Sequence, residues 1–329
     1  KGTVLLKQGE QPVLSYYLII GCVRQYMCNE EGKETTIAFY IDEQSINVFS
    51  YFDEEGNSLY SLSCLEDCMM VSCPDSMISN LDQVEPEFQK IEVIDDMDIY
   101  LTFGETQSVI VETDSNLHEV VTTDIRNGIL TIKTDNKIGR KKELIIHLKL
   151  NKKFKEIFAY NNVNVLSKSL LIIDTLTINA FDNSDYNLNL NSKIVTINCK
   201  KSSDLKLEIL SNQVSITSEE SSKLKGSINT NILNAHLLDR ADINISGTAN
   251  EIGIETIGNS GFKGNDFKVK KAVVKSMNSS DIYINASETV DIYARNSSEI
   301  YIYANPKIQL IEFFDRASLY KRDVDKRLF

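Results

Sequence analysis

Along most of the chain apolar and polar residues alternate with a period of two, the pattern of half-buried β-strands. In the first ninety residues Val4–Leu6, Tyr16–Val23, Thr35–Tyr40, Leu59–Leu65 and Cys68–Cys73 read as strands, with Tyr16–Val23 as one buried strand. Turn residues at Gln8-Gly9-Glu10 and around Gly32 separate them. Pro74-Asp75 predicts a short helix to about Leu81, and Glu85-Pro86-Glu87 a second helix start, since Pro suits a helix's first turn. The expectation is a jelly-roll-like β-roll with short helices. Alternation continues through Ile99–Leu101, Val109–Val111, Val120–Ile125, Leu130–Ile132 and Leu144–Leu148, where Asn127-Gly128 signals a hairpin.

From about residue 180 the alternation becomes a repeat. Its anchor is a polar-Ser-Ser-Asp motif, as in Asn183-Ser184-Asp185, Ser202-Ser203-Asp204 and Ser279-Ser280-Asp281. Degenerate copies end at Lys223, Asp242, Phe262, Glu299 and Ser318. The anchors 185, 204, 223, 242, 262, 281, 299 and 318 are 19, 19, 19, 20, 19, 18 and 19 apart. The residue before each anchor is small, as required where a coil turns tightly on an identical corner. The residue after it is apolar in seven of eight coils, Lys263 being the exception in this register. A second apolar pair, such as Val195/Ile197 or Val214/Ile216, follows ten and twelve residues after its anchor. The whole is mostly β: a β-roll followed by a β-solenoid (parallel β-helix) of coils about 19 residues long.

Charge divides the chain in the same place. Residues 1–90 carry five Lys and Arg against 15 Asp and Glu, a net of −10. The remaining 239 residues account for the other −2 of the total of −12. Five of six Cys and three of four Pro also lie in the first part. The expected domains are therefore 1–90 and 91–329. The acidic balance opposes nucleic acid as a partner, because phosphate neutralisation needs clustered cations. The Arg140-Lys141-Lys142 run reads as a solvated loop. No stretch approaches the length of a membrane span.

Residues 1–90 resemble the cyclic-nucleotide-binding-like sensor domain of the Crp/Fnr family. The match rests on Gly9-Glu10, on Tyr17-Leu18-Ile19-Ile20-Gly21-Cys22-Val23-Arg24 and on Gly32-Lys33-Glu34-Thr35 through Tyr40. Nucleotide-binding members use a Gly-Glu pair and an Arg on the ligand, and Ser45–Leu65 has neither, so cyclic nucleotide binding is not expected. A helix-turn-helix follows in family regulators, whereas strand-like sequence starts here at Ile91, so the DNA-reading part is either lost or missing at the 90/91 junction. Residues 91–329 resemble the GIN-domain family of auto-transporter adhesin heads, on Ser279-Ser280-Asp281-Ile282 and its sister copies and on Asn127-Gly128-Ile129-Leu130-Thr131-Ile132. That resemblance implies adhesion or surface binding and an exported location, whereas the free thiols and the sensor-like half imply the cytoplasm.

Candidate chemistry is sparse. Tyr283, Tyr301 and Tyr320 stand two residues after successive anchors, in line on an outward face, where exposed aromatic rings could stack on sugars. The alternative is mutual support between neighbouring strands. Asp185, Asp204, Asp242, Asp281 and Glu299 would form an acid row, interrupted by Lys223 and Phe262, and solvation is its simpler reading against catalysis or calcium. His118, His147 and His236 are scattered, and Cys64, Cys68 and Cys73 lack zinc-site spacing. No catalytic residue, metal or cofactor is expected. The preferred function is a non-enzymatic binding or scaffold protein, with a glycan, protein or small ligand as partner. A ligand-responsive regulator of the Crp/Fnr type and a carbohydrate-active solenoid enzyme are the alternatives. Oligomeric state is not readable.

Overall fold

A computed structural model of the chain describes residues 1–29, 31–42, 44–46, 56–74, 88–112, 121–134 and 144–323. Every regular element among them is a strand. The chain divides into two compact units, Lys1–Glu85 and Pro86–Phe329. The two expected short helices fall within residues 75–87, and the Arg140-Lys141-Lys142 loop within 135–143, outside the described residues; Pro74 itself ends a strand.

The first unit contains β1 (Val4–Leu6), β2 (Leu14–Ile20), β3 (Val23–Cys28), β4 (Glu34–Tyr40), β5 (Gln44–Ile46), β6 (Ser61–Cys64) and β7 (Met69–Pro74). They form two antiparallel sheets, β1-β6-β3-β4 and β5-β2-β7. A small core of Leu6, Leu18, Val23, Ile46, Tyr60, Leu62 and Cys64 holds them. The single buried strand expected over Tyr16–Val23 is two strands. Gly21 adopts a φ of +122° and a Cβ there would lie 2.6 Å from the Cys68 sulfur, so the backbone breaks between β2 and β3. Only Leu18 of β2 is buried, and Tyr17 and Ile20 face outward.

In the second unit β8 (Lys90–Ile94) and β9 (Asp98–Phe103) form one layer of the stack, with a parallel layer on each side. The strands Glu156–Tyr160 and Asn164–Ser167 lie parallel on them, pairing Glu156 with Lys90 and Asn164 with Asp98. In sequence between these two pairs of strands come β10 (Ser108–Glu112), β11 (Val121–Arg126), β12 (Ile129–Thr134) and β13 (Ile145–Leu150), with β12 and β13 lying parallel to β8 and β9 on their other side. Asn127 and Gly128, both with positive φ, close the β11–β12 hairpin at the predicted turn. From residue 156 to 321 coil stacks on coil in parallel register, and one continuous apolar core runs through them from Phe88 to Ile302.

The register corrects the repeat at one coil. Asp242 pairs with Gly261, and Gly261 with Asp281, so the fifth anchor is Gly261 rather than Phe262. Phe262 then occupies the inward position after the anchor and is fully buried, while Lys263 turns outward. With this shift the residue after the anchor is apolar in all eight coils. The residue before it is always Ser or Ala: Ser184, Ser203, Ser222, Ala241, Ser260, Ser280, Ser298 and Ala317.

Each coil turns at these corners. In six of the eight two consecutive residues have φ between 49° and 67°, among them Asp182/Asn183, Lys201/Ser202, Asn278/Ser279 and Asn296/Ser297, while the corners before Ala241 and Ser260 have one left-handed residue each, Asp239 and Gly258. An i to i+3 hydrogen bond closes the turn, as from Ser184 N–H to Phe181 C=O at 3.1 Å. These are the features of a type I′ turn. Left-handed backbone costs about 1–2 kcal/mol per ordinary residue, less for Asn and Asp. The cost is offset between coils: the second left-handed N–H donates to the first left-handed carbonyl of the next corner, as from Ser297 to Asp315 at 2.9 Å. The small residue that follows is buried in seven of the eight coils, and Ala317 in the last is partly buried. Ser280 Oγ lies within 2.9 Å of Met277 O and 2.8 Å of both Ser276 Oγ and Thr256 Oγ1.

Two glycines show how closely the coils approach. Gly226 sits at φ +149°, and a Cβ would lie 1.8 Å from the Leu207 carbonyl oxygen. Gly253 has an ordinary φ, and its Cβ would meet only the end of the Asn234 side chain. Gly226→Ala is therefore expected to destabilise the solenoid by roughly 3 kcal/mol, and Gly253→Ala by less than about 1 kcal/mol. Urea unfolding followed by circular dichroism measures both. Equal losses would contradict the close stacking at Gly226.

Candidate functional site: a tyrosine ladder on a lateral face

On the last three coils the inward residues Ile282, Ile300 and Leu319 alternate with outward Tyr283, Tyr301 and Tyr320. Parallel register sets these tyrosines directly above one another. The Tyr283 and Tyr301 rings stack at 4.4 Å and 9°, and Tyr301 and Tyr320 at 5.0 Å and 18°. The spacing is that of neighbouring strands. The Arg322 guanidinium packs against the ladder, 5.2 Å from the Tyr301 ring and 5.8 Å from the Tyr320 ring. Tyr320 is 39% exposed, whereas Tyr283 and Tyr301 are half-buried.

All three sequence-predicted residues thus come together, but in a manner that changes what they offer. Tyr301 has a ring against each of its faces, and Tyr283 and Tyr320 each have one face covered. The ladder presents ring edges and hydroxyls rather than open faces for sugar stacking. The signal for this lies in the register, because three identical aromatics at one position of successive coils must meet face to face.

The acid row flanks the ladder. Asp185, Asp204, Lys223, Asp242, Gly261, Asp281 and Glu299 occupy one position of successive coils. Lysines two residues further along answer the acids of the coil before: Lys225 is 3.6 Å from Asp204 and Lys263 is 3.0 Å from Asp242. Burial, then the neighbouring Glu299 carboxylate, raise the Asp281 carboxyl above its ordinary range. The Tyr301 hydroxyl donates to the Glu299 carboxylate. That hydrogen bond, followed by burial, holds the Tyr301 phenol well above the ordinary tyrosine range.

The other candidates are spread over both units. His147 lies 2.7 Å from Glu112 and His236 3.4 Å from Glu255, each in an outward pair. His118 lies outside the described residues. Cys64 and Cys68 adjoin in the first unit. Burial, then the Cys68 thiol, push the Cys64 thiol up to about 11, which disfavours the thiolate that metal ligation uses. Among the described residues no group of three His, Cys, Asp or Glu side chains converges in a metal-holding arrangement. Arg24, the one arginine of residues 1–90, binds Glu34 at 2.7 Å and packs over the Tyr26 ring. Among the described residues no helix is long and apolar enough to cross a membrane.

The family model described as "Putative auto-transporter adhesin, head GIN domain" matches residues 87–227 and 208–306, most of the solenoid. The chain belongs to the GIN-domain family. Its first 83 residues match the cyclic nucleotide-binding domain model. Among solved structures, the GIN-domain chain is similar to a putative adhesin from Parabacteroides distasonis, with 15% identity over 72% of this chain and 93% of that one, at a TM-score of 0.56. A putative adhesin from Parabacteroides merdae shares 18% identity over 72% and 92% of the two chains, at a TM-score of 0.50. Both likenesses concern the fold. No curated protein matches the chain.

The Glu299 contact makes a titration test. Ionising Tyr301 would place two anions side by side, so the folded state holds the phenol proton more tightly than the unfolded chain does. Its contribution to stability is complete below the ordinary tyrosine range and is lost as pH rises through the folded value. In an alkaline titration followed by phenolate absorbance, Glu299→Gln should move one tyrosine back toward its ordinary value. An unchanged curve would show that Glu299 does not control Tyr301.

Proposed function

We propose that this GIN-domain chain is a non-enzymatic binding and scaffold protein, whose lateral solenoid face contacts a protein partner through Tyr283, Tyr301, Tyr320 and Arg322. The observation that carries the reading is the ladder itself, with rings 4.4 and 5.0 Å apart and a guanidinium against them. Tyr and Arg are the residue types that dominate protein interfaces, because they supply large contact area and polar ends at low entropic cost. Here the side chains are immobilised by stacking before any partner arrives, which lowers the ordering cost of association. The covered ring faces favour a protein surface over stacked sugar. The family match and the adhesin neighbours support a binding role. The sensor-like residues 1–90 are read as a degenerate sensor domain attached to the binding module of 91–329.

The test probes a protein array and a glycan array with the full chain and with a Tyr283→Ala/Tyr301→Ala/Tyr320→Ala variant. All three positions face outward, so the variant keeps the core, and circular dichroism checks its fold. The expected result is at least one protein target whose binding falls by about tenfold or more in the variant. Targets bound equally by both chains, or no bound protein at all, would contradict the reading.

A further inference from the structure

The second strand of each coil forms another lateral face. Ser215, Asn234, Gly253, Val273 and Asp291 follow one another there on successive coils. Longer side chains flank this line: Ile232, Glu251 and Lys271 on one side, His236, Glu255 and Lys275 on the other. Because Gly253 lacks a side chain between these walls, the face is not flat. It holds a groove of about 640 Å³, within the size range of ligand sites. Four strand spacings separate Ser215 from Asp291, so the groove runs about 19 Å along the solenoid axis.

Three properties of the groove select a ligand. First, the backbone beneath it is fully used in the parallel ladders between coils, so a peptide cannot add as a further strand and recognition falls to side chains. Second, the charges cancel. Glu251 and Lys271 lie 3.5 Å apart and His236 and Glu255 3.4 Å apart. Counting Glu251, Glu255 and Asp291 against Lys271 and Lys275 leaves one net negative charge, which does not attract a polyanion. Third, apolar and hydrogen-bonding groups alternate along it. Ile232 and Val273 are 40% and 42% exposed beside Asn234, Glu255 and Asp291. A ligand that fits has neutral hydroxyls and amides along its edges, small methyl groups at intervals, and a rise per unit close to the coil spacing.

We propose that this groove binds a neutral, β-linked N-acetylhexosamine chain lying along the solenoid axis. The acetamide methyls cover Ile232 and Val273, and the paired carboxylate, amide and imidazole groups hydrogen-bond the hydroxyls. The proposal shares with the previous section only the idea of a binding module. It uses a different face, so the two readings fail separately.

Isothermal titration calorimetry of the full chain tests it, with chitohexaose as the probe and a heparin hexasaccharide as the polyanionic comparison. Two variants fill the groove, Val273→Trp and Asn234→Trp. Both positions are exposed, so neither disturbs the core, and an unchanged thermal midpoint confirms the fold. Chitohexaose is expected to bind, heparin hexasaccharide is not, and each Trp variant should lose about tenfold or more in affinity. The Tyr283→Ala/Tyr301→Ala/Tyr320→Ala variant should bind the probe as the unmodified chain does. No heat with chitohexaose, tighter binding of heparin, unaltered binding in the Trp variants, or loss in the tyrosine variant would each overturn the proposal.

Discussion

Everything in the solenoid depends on the corner, where left-handed backbone, two residues of it in six of the eight coils, precedes a Ser or Ala. Left-handed backbone is unfavourable for residues such as Lys201, Ser202 and Glu220, yet all three adopt it. It persists because most corners hydrogen-bond the next, as Ser202 does Glu220, and because the following side chain is small enough to fit beneath its neighbour. Once the corner is fixed, the alternation of the strand is fixed too. The residue after the anchor points inward in every coil, and a slip of one position would turn the whole coil inside out.

Identical corners make identical columns. Inward, this gives a continuous apolar core. Outward, it places like side chains at strand spacing, where their chemistry decides whether they help or hinder one another. Tyrosines stack, acids are answered by lysines of the next coil, and burial together with the neighbouring Glu299 raises the proton affinity of Asp281. A rigid scaffold with such columns suits binding by arrays of side chains. Its outer faces can vary in sequence while the corners and core stay as they are.

Much of this was legible in the sequence. Periodicity alone showed strands, the regular corner motif showed the coil length, and the tyrosine column followed from the spacing of the anchors. The family resemblances pointed to the same two kinds of module. Legibility failed where the motif lost its chemistry. At the fifth corner Ser260-Gly261 lacks the acidic residue, so the anchor fell one position late. The burial of Phe262 and the outward turn of Lys263 place it correctly. At Gly21 the apolar run conceals a break, where a left-handed backbone packs against Cys68 and its N–H donates to the Asp42 carboxylate. The ring stacking and the groove needed contacts between coils. Gly253 matters only because of the long side chains beside it in two other columns, which no local pattern encodes.

The fold therefore stands on the register, and a cross-link reads the register directly. Asn244 and Lys263 are neighbours on the outer face, whereas Gly264 is buried on the inner one. Adjacent strand positions are about 4.8 Å apart, within the Cα separation a disulfide accepts. Under mild oxidation an Asn244→Cys/Lys263→Cys variant should form a disulfide without loss of stability, and an Asn244→Cys/Gly264→Cys variant should not. Cross-linking of the second pair in preference to the first would contradict the corner-fixed register.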